Sequence, residues 1–173
     1  MRHARVRRPK GRRGSSMLEF LLAGLPSLFI LISTIQMSLG MWQYHTLDSA
    51  LQQAGRYVVV RGRGCVQNGN TCSVTVGTIA QQIASYAVGM PPQQLSVTLT
   101  PPGGAATTCN PLSSCYGNAT VWPADPYNGP GMIFTITGTF TWNPAIGMVW
   151  PGTQTTIFPS FVLGASTAQE IMF

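Results

Sequence analysis

The chain has 173 residues, of which 45% are hydrophobic and only 8% are charged, and its formal net charge is +6. Soluble globular proteins carry about 25% charged residues, so this composition argues against a cytosolic enzyme. The aliphatic and aromatic content excludes a disordered chain, and the length fits a single domain.

The positive charge is concentrated at the N-terminus. Seven of the ten basic residues lie in the first thirteen positions: Arg2, Arg5, Arg7, Arg8, Lys10, Arg12 and Arg13. From residue 15 onward, three basic residues face four acidic ones, a net charge of −1. A basic protein first suggests nucleic acid, but this tail has no interleaved aromatic residues and adjoins an apolar segment. We therefore expect no nucleic-acid partner.

The tail is followed by a stretch without charge, residues 20–44. As a helix it would be about 37 Å long, enough to cross a hydrocarbon core of about 30 Å. Trp42 and Tyr44 would lie in the interfacial aromatic belt, and the basic tail places the N-terminus in the cytoplasm. The stretch exceeds the apolar region of a secretory signal, and no A-x-A site follows it. The sequence therefore predicts a single-pass membrane protein.

The junction between tail and span reads Arg-Arg-Gly-Ser-Ser-Met-Leu-Glu-Phe over residues 12–20. Gly14 ends the tail, and Glu19, five residues later, is the first acid of the chain. A carboxylate at the edge of a membrane span is costly. The interaction of Glu19 with the N-terminal end of the helix dipole would stabilise the helix by only a few tenths of a kcal/mol. This small gain does not explain why the glycine, the basic tail and the acid occur together at this spacing.

This junction resembles the processing site of type IV prepilins, in which a prepilin peptidase cuts after the glycine and a glutamate is fifth in the mature chain. The resemblance places the cut between Gly14 and Ser15. The Glu19-Phe20 pair and Pro26 resemble TadE-like minor pseudopilins of tight-adherence (Flp-type, type IVb) pili. A translation start at Met17 would remove the leader, and N-terminal sequencing distinguishes the two starts.

The resemblance implies a role for both sides of the cut. Cleavage would remove seven positive charges that are held on the cytoplasmic side, and would free the α-amine of Ser15. In a filament, that amine could neutralise Glu19 of a neighbouring subunit, because an unpaired charge among apolar helices is expensive. The implied partners are the membrane, the prepilin peptidase, other pilin and pseudopilin subunits, and the pilus assembly platform.

The helix is predicted to continue past the membrane. Leu47, Leu51, Ala54 and Val58 recur at three- and four-residue spacing, which favours an apolar stripe buried against the following domain. The Arg-Gly-Arg-Gly run at 61–64 should end the helix.

The pattern of residues 65–173 predicts a small α+β domain. The pattern indicates a helix over 76–88, strands over 95–100 and 132–142, a long loop over 101–130, a turn region over 143–153, and one or two strands over 155–166. We expect an antiparallel sheet packed on the long helix. The predicted organisation is a basic cytoplasmic leader at 1–14, a transmembrane helix with an amphipathic extension at 15–62, and an exterior domain at 63–173.

The exterior domain contains all four cysteines: Cys65, Cys72, Cys109 and Cys115. Disulfides are expected outside the cytoplasm. Three connectivities are possible, and local pairing, 65–72 and 109–115, is favoured because each closes a short polar loop. The spacing does not suit zinc, and no histidine lies nearby to help.

Catalytic and cofactor motifs are lacking from the sequence. The exterior domain has no histidine and only two acids, Asp125 and Glu170, and there is no nucleophile elbow, phosphate loop or dinucleotide fingerprint. We expect no enzyme, no cofactor and no metal. The resemblance to TadE-like proteins implies a minor pseudopilin in the bacterial inner membrane, with its C-terminal domain periplasmic or extracellular and with incorporation into a pilus. The alternative is an uncleaved single-pass envelope protein with an exterior binding domain.

Overall fold

The structure is a computed structural model, and it describes residues 15–65, 72, 74–146 and 159–172. The chain divides into two compact units, Met1–Ser38 and Leu39–Phe173. Helix α1, Ser15–Val59, supplies the described part of the first unit and continues into the second. It ends two residues before the Arg-Gly-Arg-Gly run that was predicted to stop it.

The second unit, which we call the C-terminal domain, contains one further α-helix among the described residues. Helix α2, Val76–Tyr86, begins at a capping box in which Thr75 and Thr78 bond to each other's backbone N–H groups, at 3.2 and 3.0 Å. It ends two residues before the predicted end, and the chain then turns at Gly89, whose φ of +80° is a left-handed conformation that favours glycine.

Four antiparallel strands form one sheet with the order β2-β1-β3-β4. The strands are β1, Leu95–Thr100; β2, Thr107–Cys109; β3, Ile133–Trp142; and β4, Phe161–Glu170. β3 and β4 pair over their whole length, from Ile133 opposite Glu170 to Trp142 opposite Phe161. The predicted α+β class with a long N-terminal apolar helix and an antiparallel sheet is confirmed.

The predicted loop at 101–130 is more ordered than its composition suggested. It contains β2 and a short 3₁₀ helix, Leu112–Cys115. Residues 143–146 have no regular structure, as predicted for a turn. The predicted strand residues 155–158 lie outside the described part of the chain, and β4 extends four residues past the predicted end of that region.

The core lies between the C-terminal half of α1, helix α2 and one face of the sheet. The predicted stripe on α1 is buried there, as expected for a core contact. The main buried side chains are Leu47, Leu51, Ala54 and Val58 from α1, Ile79 and Ile83 from α2, and Leu95, Val97, Leu99, Phe134, Ile136 and Phe140 from the sheet. Threonine and serine line the opposite face, where Thr98 bonds Thr108 and Thr137 bonds Ser166.

Candidate processing and membrane-anchoring site

The predicted processing junction lies at the start of the described chain. Ser15 begins helix α1, whereas Gly14 falls outside the described residues. Glu19 is one helical turn further on, and both its side chain and that of Phe20 are exposed in the single chain. The backbone after the proposed cut is thus helical, with the carboxylate on its surface.

The surface of α1 that follows the junction is apolar. α1 contains the one candidate membrane span found among the described residues, with a mean hydropathy of 2.0 in its most apolar window. None of that window is buried. The exposed large side chains are Met17, Leu18, Phe20, Leu21, Leu22, Leu25, Leu28, Ile30, Leu31, Ile35 and Met37. Water-soluble monomers rarely expose so large an apolar surface, and the helix fits a membrane-anchored protein.

Hydroxyl groups within this apolar stretch are satisfied by the helix itself. Ser27, Ser33, Thr34 and Ser38 each donate a hydrogen bond to the carbonyl oxygen four residues earlier, at 2.7 to 2.9 Å. A hydroxyl bonded in this way does not present an unpaired donor to hydrocarbon. These residues therefore dilute the apolar character of the helix without exposing unpaired hydroxyl groups.

Two other residues of the span differ from the apolar side chains around them. Pro26 lies inside α1, and because it has no N–H it cannot donate to the carbonyl of Leu22. Gln36 is a polar side chain within the charge-free stretch. It is buried, with only 2% of its surface exposed.

The far end of the charge-free stretch carries the predicted aromatic belt. Trp42 and Tyr44 are both exposed, and the ring of Tyr44 meets that of His45 edge-on at 5.6 Å. Aromatic rings with a polar atom are favoured at the headgroup level of a bilayer. The exposure of both rings suits such a position.

All four cysteines are in disulfides in the C-terminal domain. Cys65 bonds Cys72, and Cys109 bonds Cys115, which are the local pairs that the sequence favours. No group of three or more His, Cys, Asp or Glu side chains that could hold a metal ion occurs among the described residues.

A small concave site lies beyond the end of α1. It has a volume of about 190 Å³ and is lined in part by Arg61, Arg63, Trp122 and Asn128. Arg63 pairs with Asp125 at 3.3 Å, and both side chains are largely exposed. Trp122 is buried and packs edge-on against Phe134, with ring centroids 5.5 Å apart. Trp150 lies outside the described residues.

Comparison with protein families agrees with the junction and the exposed helix. Residues 14–56 match the TadE-like protein family. The match starts at Gly14, the residue after which the cut is predicted, and includes Glu19, Phe20 and most of α1. It confirms the TadE-like resemblance over this segment. Comparison with curated proteins and with solved structures gives no match.

Proposed function

We propose that this protein is a minor pseudopilin of a type IVb tight-adherence pilus, a structural subunit and not an enzyme. The observation that carries the proposal is the TadE-like match over residues 14–56, the segment that also forms the exposed apolar helix. The part of the chain after α1, predicted as the exterior domain at 63–173, is then the exterior part of the subunit. The two disulfides support an oxidising compartment outside the cytoplasm.

Processing follows from the charge distribution. Seven basic residues before Gly14 favour a cytoplasmic N-terminus, the side on which a prepilin peptidase acts in this class of proteins. Cleavage between Gly14 and Ser15 leaves a chain whose helix begins at its first residue. The mature subunit then carries a net charge of −1, so its exterior domain is not basic.

N-terminal sequencing of membrane-extracted protein tests this step. Material from cells that contain the peptidase should begin at Ser15, and material from cells without it should retain the leader. A chain that begins at Met1 in both cases would contradict the proposal and identify an uncleaved membrane anchor.

Glu19 is proposed to set the position of the subunit in the filament. Its side chain lies on the surface of α1, one turn from the new N-terminus, so the free α-amine of one subunit can approach the carboxylate of the next. An unpaired carboxylate would be strongly disfavoured among packed apolar helices. The pair therefore favours one axial register over others.

The test compares two acid-to-alanine variants. Glu19→Ala should insert and be cleaved but should be missing from purified pili, whereas Asp48→Ala, on the same helix but beyond the span, should be incorporated normally. Normal incorporation of Glu19→Ala would overturn the proposed use of Glu19. Loss of both variants from pili would show that acid removal in general, not this pair, disturbs assembly.

A further inference from the structure

The loop after α2 packs against the aromatic residue at the end of the span. A Cβ atom built on Gly89 would lie 2.9 Å from Cη2 of Trp42, so the loop backbone is in close contact with the indole. Tyr86 and Val88, just before Gly89, are exposed, Val88 to 63%. The sequence has no charged residue between Arg63 and Asp125. This loop is therefore an uncharged, apolar surface beside Trp42.

The β3–β4 hairpin contributes a second apolar surface at the same level of α1. A Cβ atom on Gly40 would lie 3.7 Å from Cζ of Phe161 and 3.8 Å from Cε2 of Trp142. The rings of Phe161 and Trp142 pack with centroids 4.9 Å apart. Phe161 is half exposed and Val162 is 65% exposed. The residues Trp42, Tyr86, Val88, Phe161 and Val162, which we call the collar, thus lie on the segments that meet α1 near residues 40–42, at Gly89 and at the Phe161–Trp142 pair.

The charged residues of the C-terminal domain lie further along. β4 follows α1 from Phe161 beside Gly40 to Gln169 beside Gly55, so Glu170 is at the far end of the strand, about 27 Å from Val162. Arg61, Arg63 and Asp125 lie beyond the end of α1, and Arg56 is in its last turn. Asp48 is the charged residue nearest to Trp42 along the helix, about 9 Å away. His45 lies beside Tyr44 at this level.

We propose that the collar lies in the headgroup layer of the bilayer, so that the C-terminal domain is a second membrane contact in addition to the span. This inference rests on the proposed membrane anchor, because the anchor brings Trp42 to the interface. Exposed apolar side chains are stabilised on leaving water, and the collar can enter the interface without desolvating a formal charge. The absence of lysine and arginine from the collar points to zwitterionic lipid, not to an attraction for anionic headgroups.

Nitroxide labels on single introduced cysteines test the position of the collar. Because all four native cysteines are in disulfides, an added cysteine is the one free thiol. Val88→Cys and Val162→Cys report on the collar. Ile133→Cys is the matched control, since Ile133 lies on the same outer face of the hairpin as Val162, is 58% exposed, and pairs with Glu170 at the far end. The full chain is reconstituted in phosphatidylcholine nanodiscs, one protein per disc.

The measured quantity is the rate at which each nitroxide collides with oxygen, which concentrates in lipid, divided by the rate at which it collides with a water-soluble nickel chelate. The ratio should favour oxygen at positions 88 and 162 and the nickel chelate at position 133. Equal ratios at all three positions would overturn the inference. So would oxygen-favoured ratios that appear only with several proteins per disc, because then a neighbouring subunit covers the collar.

A fourth label separates this inference from the proposed anchor. Leu31→Cys lies within the span, and its label should collide with oxygen at least as often as the collar labels. If the label at 31 is in lipid while those at 88 and 162 are in water, the anchor stands and the collar inference is wrong. If the label at 31 is also in water, the proposed anchor itself is wrong.

Discussion

Gly138 of β3 lies directly against Leu51 of α1. A Cβ atom at position 138 would be 3.1 Å from both methyl carbons of Leu51 and 3.2 Å from Cδ1 of Leu47. A side chain at position 138 would therefore press on the two leucines where the helix approaches the centre of the sheet. This contact holds the extension of α1 onto the domain, since both leucines are fully buried.

We expect Gly138→Val to lower the free energy of unfolding by about 1–3 kcal/mol, the usual cost of overpacking a core. The measurement is urea unfolding of the detergent-solubilised chain, followed by tryptophan fluorescence. Gly164→Val is the control, because position 164 is exposed on β4 and the nearest atom to its Cβ is 3.9 Å away. Equal stability of the two variants would contradict the packing.

Leu51→Ala should destabilise the domain by about 2–5 kcal/mol, because removing a buried leucine side chain loses apolar contacts and leaves a cavity. Leu31→Ala removes the same atoms from the same helix, but Leu31 is exposed in the single chain. The domain should therefore unfold at the same urea concentration in Leu31→Ala as in the natural sequence. A large loss in Leu31→Ala would show that the span also supports the fold of the domain.

Helix α2 depends on a glycine in its first turn. A Cβ atom on Gly77 would lie 2.6 Å from the carbonyl oxygen of Tyr116 and 2.9 Å from that of Asn118, and the N–H of Gly77 donates to the latter at 2.9 Å. Because the obstacles are backbone atoms, no side-chain rotation can relieve the clash.

Gly77→Ala should therefore lose about 1–3 kcal/mol of stability. At Gly117 the Cβ meets nothing within 4 Å and the backbone is not left-handed, so Gly117→Ala should gain about 0.4–1 kcal/mol by restricting the unfolded chain. Calorimetric or fluorescence melting of the pair tests both signs. A stabilising Gly77→Ala would mean that α2 does not pack on the 116–118 segment as described.

The elements that the sequence predicted well are those whose periodicity and burial agree. The stripe from Leu47 to Val58 has helical spacing and is buried, and β1 has the predicted bounds because its alternation matches the face that it buries. β2 was missed, since three residues in a stretch rich in Pro, Gly and Ser carry little pattern. It forms because β1 offers an edge opposite it.

The full length of β4 and the position of the collar were missed for a different reason, because both depend on contacts between segments that are distant in the sequence. β4 reaches Glu170 although Gly164, Ala165 and Ala168 are poor strand formers, because it pairs with β3 along ten residues. The sequence indicated Trp42 and Tyr44 as interfacial residues. It did not indicate Val88 or Phe161, because only the folded domain brings these to the same level of α1. The one sequence signal was the lack of charge between Arg63 and Asp125.

The Cys109–Cys115 disulfide joins β2 to the 3₁₀ helix, and thus fixes the segment on which Gly77 packs. It closes a loop of seven residues, for which the chain-entropy relation gives about 2 kcal/mol at 25 °C. We expect Cys109→Ala/Cys115→Ala to lose about that much stability. Addition of a reducing agent should lower the stability of this variant less than it lowers that of the natural sequence.

Cys65→Ala/Cys72→Ala is the matched control, since its loop is one residue longer and outside this segment. If only the first variant weakens the packing at α2, measured as faster amide exchange at Gly77, the bridge supports α2 locally. Equal exchange at Gly77 in both variants would contradict that local support.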